Sequence, residues 1–242
     1  MKLMLESWVQ FLSEGIHDKS ILKVVFMAGG PGSGKSYVSS FLFDYDKDQS
    51  INTMTQSGLK LSNIDTAYTI MLKQKGIDPS KLGDLPEEEF NKINYGPYST
   101  REKARSKTDL MMNAYTRERL GVLIDGTGAD KNKIMRLKKS FDNAGYDSMM
   151  VFVHADLEVS LERNKKRSRS LPDNLVEDLW RSVHDNLEYY DNVFGENFVY
   201  VDNTSINPQK LREAKRKVEV FLNAPVQNPV GQQWLDSKRK TP

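Results

Sequence analysis

The stretch Ala28-Gly29-Gly30-Pro31-Gly32-Ser33-Gly34-Lys35-Ser36 constrains this chain more than any other, because Gly29 to Ser36 fill G-x-x-x-x-G-K-S/T without a mismatch. An apolar run of buried-strand length, Leu22 to Met27, precedes it, and Tyr37 to Phe43 follows as a segment able to carry a helix. Strand, glycine turn and helix in that order are the setting a phosphate-binding loop requires. Gly30, Gly32 and Gly34 free the backbone to approach closely, so that amides from Gly29 to Lys35, Ser33 among them, converge on phosphate oxygens. The helix start adds its positive end. Lys35 has the reach for β- and γ-phosphates, and the Ser36 hydroxyl can ligate Mg²⁺. The alternative, a glycine-rich turn without a ligand, leaves the lysine and hydroxyl at its end unexplained.

With 242 residues the chain suits one α/β domain with elaborations, and 38% hydrophobic residues support a real core. The expected division is an N-terminal helix over 1–20, a nucleotide-binding domain over 21–222, and a tail over 223–242. No apolar run approaches the length of a membrane span. The start meets Glu6 too early and lacks a small-residue cleavage site, so no signal peptide is expected. Cysteine is absent, which removes disulfides, thiolate metal sites and thiol nucleophiles, and fits a cytoplasmic protein. A formal charge of +2 means that attraction to nucleic acid must come from clustering.

Met4, Leu5, Trp8, Val9 and Leu12 share one helical face, with Gly15 as a stop. Leu59 to Asn63 reads as the second strand, and Ile64 begins a helix. Asp65 therefore stands where a strand ends and a helix starts. It is either a capping or first-turn acid, or a general base facing the nucleotide, since ligands of parallel α/β folds lie beyond the carboxyl ends of the strands. Asn63 beside it can align the same acceptor hydroxyl. Residues 76–97 form an insertion rich in glycine and proline, of a kind more often used as a lid or acceptor element than as linker. A long helix follows over Tyr98 to Leu120, opened by Ser99 or Thr100. Arg101, Arg105 and Thr108 share one of its faces, either to hold an anionic acceptor or as an ordinary charged face.

Val122 to Asp125 is a short apolar run ending in an acid, followed by Gly126, Thr127 and Gly128. A strand delivers a carboxylate to the Mg²⁺ environment beside a phosphate loop in this way, and Thr127 adds a hydroxyl. Helices are expected over Asp130 to Ala144, with a basic surface, from Ala155, and from Pro172 through Tyr190; strands over Met149 to Val153 and Phe198 to Val201; and a final helix from Pro208 to Leu222. Residues 163–171 carry Arg163, Lys165, Lys166, Arg167 and Arg169 without an acid. Such a segment can fold over phosphates as a lid, face nucleic-acid backbone, or serve solubility. His17, His154 and His184 are scattered and suggest no metal site; only His154, just past a strand, stands near the nucleotide end.

Taken together, residues 21 to 205 resemble the P-loop kinases grouped with polynucleotide kinase and zeta toxin. The resemblance rests on Gly29 to Ser36, Asn63-Ile64-Asp65, Leu123 to Thr127, and Leu161-Glu162-Arg163-Asn164 with Arg167, Arg169 and Leu171-Pro172. It is also similar to bacteriophage-encoded kinases, including those that phosphorylate 5-hydroxymethyluracil within DNA. The resemblance implies a five-stranded, mostly parallel sheet of order 2-3-1-4-5 with helices on both faces, and ATP with Mg²⁺ as cofactors. It further implies that Asp65 deprotonates the acceptor hydroxyl and that Arg163 and Arg167 belong to a lid. Arg169 then adds to the ATP site, Ser36 and Asp125 support the metal, and Asn63, Arg101, Arg105 and Thr127 meet the acceptor. A nucleic acid, DNA above all, is the leading acceptor, through a 5′-hydroxyl or a hydroxymethylated base. A small acceptor such as a nucleoside, sugar or nucleotide-sugar, an ATPase, and a nucleotide-binding module are the rivals. A monomer and a dimer are both open.

Overall fold

The computed structural model describes residues 18–45, 54–166 and 171–239. The stripe from Met4 to Leu12, Arg167 and Arg169 lie outside the described residues. Five strands form one sheet: β1 (Lys23–Ala28), β2 (Lys60–Ser62), β3 (Val122–Asp125), β4 (Asp147–His154) and β5 (Phe198–Asp202). Their order is β2-β3-β1-β4-β5, and every pairing is parallel. The expected order 2-3-1-4-5 is the one observed. Because the sheet turns outward in both directions from β1, its crevice opens beyond the carboxyl end of that strand, where the phosphate loop begins.

Side-chain alternation along β1 builds a core on each face of the sheet. Val24, Phe26 and Ala28 point to one face, beneath α4 (Thr100–Arg117), α5 (Lys131–Asn143), α7 (Asp173–His184) and α8 (Leu187–Phe194). Val25 and Met27 point to the other, beneath α1 (Lys35–Phe43) and α9 (Pro208–Asn223). Covered on both sides, β1 can be apolar at nearly every position, as buried parallel strands are. Its one charge, Lys23, is buried and donates to Asp147 Oδ2 at 2.8 Å.

A third, smaller core stands apart from the sheet. It joins α2 (Ile64–Gln74), a 3₁₀ turn over Pro79–Asp84, α3 (Glu87–Asn94) and the start of α4 through Tyr68, Leu72, Leu82, Ile93 and Ala104. The insertion over 76–97 is thus largely helical. Its glycines and prolines fall at element ends: Pro79 opens the 3₁₀ turn, and Pro86 precedes three glutamates that favour the positive N-terminus of α3. Ser99 caps α4, its Oγ accepting from the Glu102 amide at 3.1 Å.

Two boundaries differ from expectation. The helix foreseen from Pro172 through Tyr190 is interrupted between α7 and α8. There the Asn186 amide donates to the Ser182, Gly128 and Ala129 carbonyls at 2.9, 3.1 and 2.9 Å, drawing the chain toward the β3–α5 loop. The stretch foreseen as a tail holds α10 (Pro229–Arg239), whose Trp234 and Leu235 pack against the first core. Pro229 sits at the first helical position, where a missing N–H costs nothing. Gly145 (φ +93°) and Gly231 bring two backbones into contact that a Cβ on either would block. α6 (Leu157–Lys165) completes the described helices.

Deep in the base of the sheet, Lys60 Nζ donates to Asp18 Oδ2 at 2.7 Å and to the Gly58 carbonyl at 2.9 Å, both side chains of the ion pair having no exposure. Removing one partner of such a pair strands the other charge in a low dielectric. Lys60→Met should therefore cost about 3–5 kcal/mol in urea unfolding, and adding Asp18→Leu should recover most of that loss. Equal stability of wild type and Lys60→Met would contradict this.

Candidate functional site

The phosphate loop runs from the end of β1 into α1, and its glycines are required by what presses on it. Gly32 (φ +77°) faces the Ser160 carbonyl of α6 so closely that any Cβ would collide with it. At Gly34 (φ +80°) a Cβ would strike the Asn203 side-chain amide. That amide donates to the Ser33 carbonyl at 2.7 Å, so the loop after β5 clamps the outside of the phosphate loop. Gly34 occupies the N-cap of α1 with no side chain capping the helix, which leaves the amides of the first turn open toward the crevice.

Across the crevice, Asp125 at the end of β3 meets Lys35. The distance from Nζ to Oδ1 is 3.3 Å, within ion-pair range, although that oxygen has no well-directed hydrogen bond. Asp125 Oδ2 accepts from the Asn63 amide at 2.7 Å. The same amide's oxygen caps α2, accepting from the Asp65 and Thr66 backbone N–H groups at 2.7 and 3.3 Å. Asn63 is therefore engaged at both ends, and its task is to tie α2 to Asp125. Since Asn63 does the capping, the Asp65 carboxylate is left in the first turn of α2, 69% exposed, with Arg101 Nη2 at 3.8 Å and no hydrogen bond to it among the described residues. Arg105 turns instead to Glu102 at 3.3 Å. Thr108 is buried and donates to the Ala104 carbonyl of its own helix, which removes it from the face foreseen for an acceptor.

The Thr127 carbonyl accepts from the Gly29 amide at 2.9 Å, joining the β3–α5 loop to the phosphate loop, while its side chain is exposed. Tyr190 donates to the Gly128 carbonyl at 2.7 Å, and burial pushes its phenol up to about 12. Arg163 lies beside Gly34, with Nη1 on the Asn203 carbonyl at 2.8 Å and Nη2 on the Thr204 carbonyl at 3.3 Å. Asn164, fully buried, holds Leu171 by both its backbone groups, at 2.7 and 3.0 Å, and so joins the two ends of the basic segment. Arg167 and Arg169 fall between them, outside the described residues.

Behind the loop, Trp180 of α7 packs on Gly30 and donates to the Ala155 carbonyl at 2.8 Å. His184 stacks on Trp180 with centroids 3.7 Å apart. Its Nδ1 must donate to the Trp180 carbonyl at 2.7 Å, since a carbonyl only accepts. His184 Nε2 is then the acceptor for His154 Nδ1 at 2.6 Å, and His154 Nε2 faces Asp156 at 3.2 Å. Of the three histidines, His154 was the only one that sequence placed near the nucleotide end; His184 and Trp180 reach it only through folding.

The donor set fits a nucleotide phosphate and a divalent cation. Ser33 Oγ and Asp125 Oδ1 are buried and lack hydrogen-bond partners, and they stand on either side of an uncapped helix start and a lysine. Ser36, in the first turn of α1, is exposed to the crevice side. Among the described residues, no group of three or more histidine, cysteine, aspartate or glutamate side chains could form a metal cage, so a cation here would rely on substrate phosphates, as Mg²⁺ does. No helix among the described residues is long and apolar enough to cross a membrane.

Sheet order and phosphate loop together define a P-loop kinase. Residues 24–189 match the family model described as an AAA domain, well over half of the chain, and the chain belongs to that family. Among solved structures, a provisionally assigned kinase of Chloroflexus aurantiacus j-10-fl is similar at TM-score 0.52 and 14% identity, covering 84% of this chain and 97% of that one. A gluconokinase from Sinorhizobium meliloti 1021 is similar at 0.48 and 17%, covering 84% and 94%. A chain of the Pnkp1/Rnl/Hen1 RNA repair complex is similar at 0.49 and 16%, covering 71% and 47%. No match was found among curated protein sequences.

Burial is the leading reason that the His184 imidazole titrates below its ordinary range. The folded protein therefore binds that proton less readily than the unfolded chain does. The resulting stability is complete above about pH 6.5 and is lost as pH falls below it. The melting temperature should drop between about pH 7 and pH 5.5 more steeply for wild type than for His184→Gln. Parallel curves would contradict this.

Proposed function

We propose that this protein transfers the γ-phosphoryl group of ATP to a hydroxyl carried on a nucleic acid, with DNA as the leading acceptor. The observation that carries the reading is one continuous chain of contacts: Lys35 to Asp125, Asp125 to Asn63, and Asn63 to the first turn that holds Asp65. It sets a solvent-facing carboxylate at a fixed offset from a phosphate loop. An exposed carboxylate with an arginine beside it suits an acceptor that brings its own bulk.

In this reading the amides from Gly30 to Lys35, Ser33 Oγ and the Lys35 ammonium bind the phosphates. Mg²⁺, held by Ser36 and Asp125, supplies charge neutralisation. Asp65 accepts the proton of the acceptor hydroxyl; the oxygen forms a bond to γ-phosphorus while the bond from γ-phosphorus to the β-γ bridging oxygen breaks, and ADP leaves. Arg101 orients the acceptor side, with Arg105 and Thr127 at its rim. Arg163, fixed on two carbonyls beside Gly34, offers positive charge at the loop, and Arg167 and Arg169 extend it. The family supports ATP use, and the fold is one that kinases employ.

Asp65→Asn should abolish transfer while leaving ATP-analogue affinity within about threefold, because a base touches the acceptor and not the phosphates. Lys35→Ala should lower both binding and transfer by orders of magnitude. The measurement pairs analogue titration with labelled-phosphate transfer to 5′-hydroxyl oligonucleotides, duplexes containing 5-hydroxymethyluracil, nucleosides and sugars. Full transfer by Asp65→Asn would defeat the base; transfer confined to a small acceptor would defeat the nucleic-acid reading and leave the mechanism.

A further inference from the structure

Tyr98 and Tyr95 are the two most exposed aromatic side chains among the described residues, at 84% and 66%. Both belong to the turn Tyr95-Gly96-Pro97-Tyr98-Ser99 between α3 and α4. Tyr98 makes no ring contact or hydrogen bond through its side chain among the described residues, so packing does not account for it.

The turn itself is held firmly. Tyr95 closes α3, its amide donating to the Asn91 carbonyl at 2.9 Å, and its ring meets Phe90 edge-on at 6.3 Å. The Ser99 amide donates to the Gly96 carbonyl at 3.2 Å, and Ser99 in turn caps α4. Gly96 (φ +89°) and Pro97 restrict the residues between. Beneath, Tyr68 donates to Asn94 Oδ1 at 2.7 Å, and Arg101 lies 5.5 Å over the Tyr68 ring while reaching Asp65. The two rings are thus mounted on the small third core, one helical turn from the arginine that touches the proposed base.

Charge follows the same edge. The first two turns of α4 carry Arg101, Lys103, Arg105 and Lys107 against Glu102. Lys103 is exposed, and neither Lys103 nor Lys107 enters an ion pair among the described residues. Solvent-facing rings on a fixed turn, followed by unpaired positive charge, are what a single strand requires: π-faces for its bases and cations for its phosphates. A small polyol or nucleoside would have no use for charge running along the helix away from the base.

We infer that Tyr95 and Tyr98 form a stacking platform for unpaired nucleobases flanking the reacting hydroxyl, with the start of α4 as the track for the adjoining phosphates. This rests on the nucleic-acid acceptor proposed above and assigns the part of the protein that recognises it. Because the turn is already ordered, little conformational freedom is lost when a base stacks on it.

The test is fluorescence anisotropy of a labelled single-stranded DNA with a free 5′-hydroxyl, titrated in the presence of a non-hydrolysable ATP analogue. Tyr95→Ala with Tyr98→Ala should weaken binding about tenfold or more, and the paired phenylalanine variant should stay within about twofold of wild type. An oligonucleotide abasic at its first three positions should bind wild type as weakly as the alanine variant binds the intact strand, and the variant should weaken it no further. ATP-analogue affinity should not move. Labelled-phosphate transfer to the same strand separates the two levels of the argument. If wild type transfers phosphate but the alanine variant binds both strands as wild type does, the platform alone is overturned. If wild type transfers to no nucleic acid, the acceptor reading fails and the platform with it.

Discussion

One side-chain amide holds the two halves of the site in register. Asn63 accepts two backbone N–H groups at the start of α2 and donates to Asp125, which itself faces Lys35. Capping and cross-strand contact usually fall to different residues; here both run through one rigid amide. The nucleotide side and the acceptor side are then related by covalent geometry and three hydrogen bonds, with no loop between them to flex. Alignment of two reactants to within a fraction of an ångström is the largest single aid to a displacement reaction, and a short stiff link is how a protein achieves it.

The phosphate loop depends equally on what surrounds it from outside. Ser160, Asn203 and Trp180 press on Gly32, Gly34 and Gly30, so the loop's shape comes from three other elements as much as from its own glycines. Arg163 shares the Asn203 carbonyl and lies beside Gly34. Its guanidinium is thereby oriented without an acid partner, which leaves its charge available to a ligand.

Much of this was legible in the sequence where the physics is local. Loop spacing, the apolar run ending at Asp125, and the polar-to-helical change after Asn63 each declare themselves within ten residues, and the parallel sheet follows from strands alternating with helices. The clamps were not legible. Asn203 reaches Ser33 across 170 residues, and Tyr190 reaches Gly128 across 62, so neither carries a local signature. The same distance effect hid the break before α8, which a single asparagine creates by bonding to another loop, and hid α10, whose helix is secured by Gly145 and by Asp147 accepting from the Gln227 and Asn228 amides. Prolines and glycines in the insertion suggested irregularity, whereas they mark the ends of short helices that pack together.

That the insertion has its own buried cluster has an evolutionary and a thermodynamic side. Tyr68, Leu72, Leu82, Ile93 and Ala104 contact one another and not the sheet's two cores. A unit of this size contributes few buried side chains, so it can open and reclose at a free energy well below that of global unfolding. It can also accept replacement, residue by residue, while strands and phosphate loop keep their packing, since distant and unshared contacts combine additively. Acceptor choice can therefore drift in this family of architectures without putting ATP handling at risk, and the junction that must be kept through any such change is the single asparagine at the root of α2.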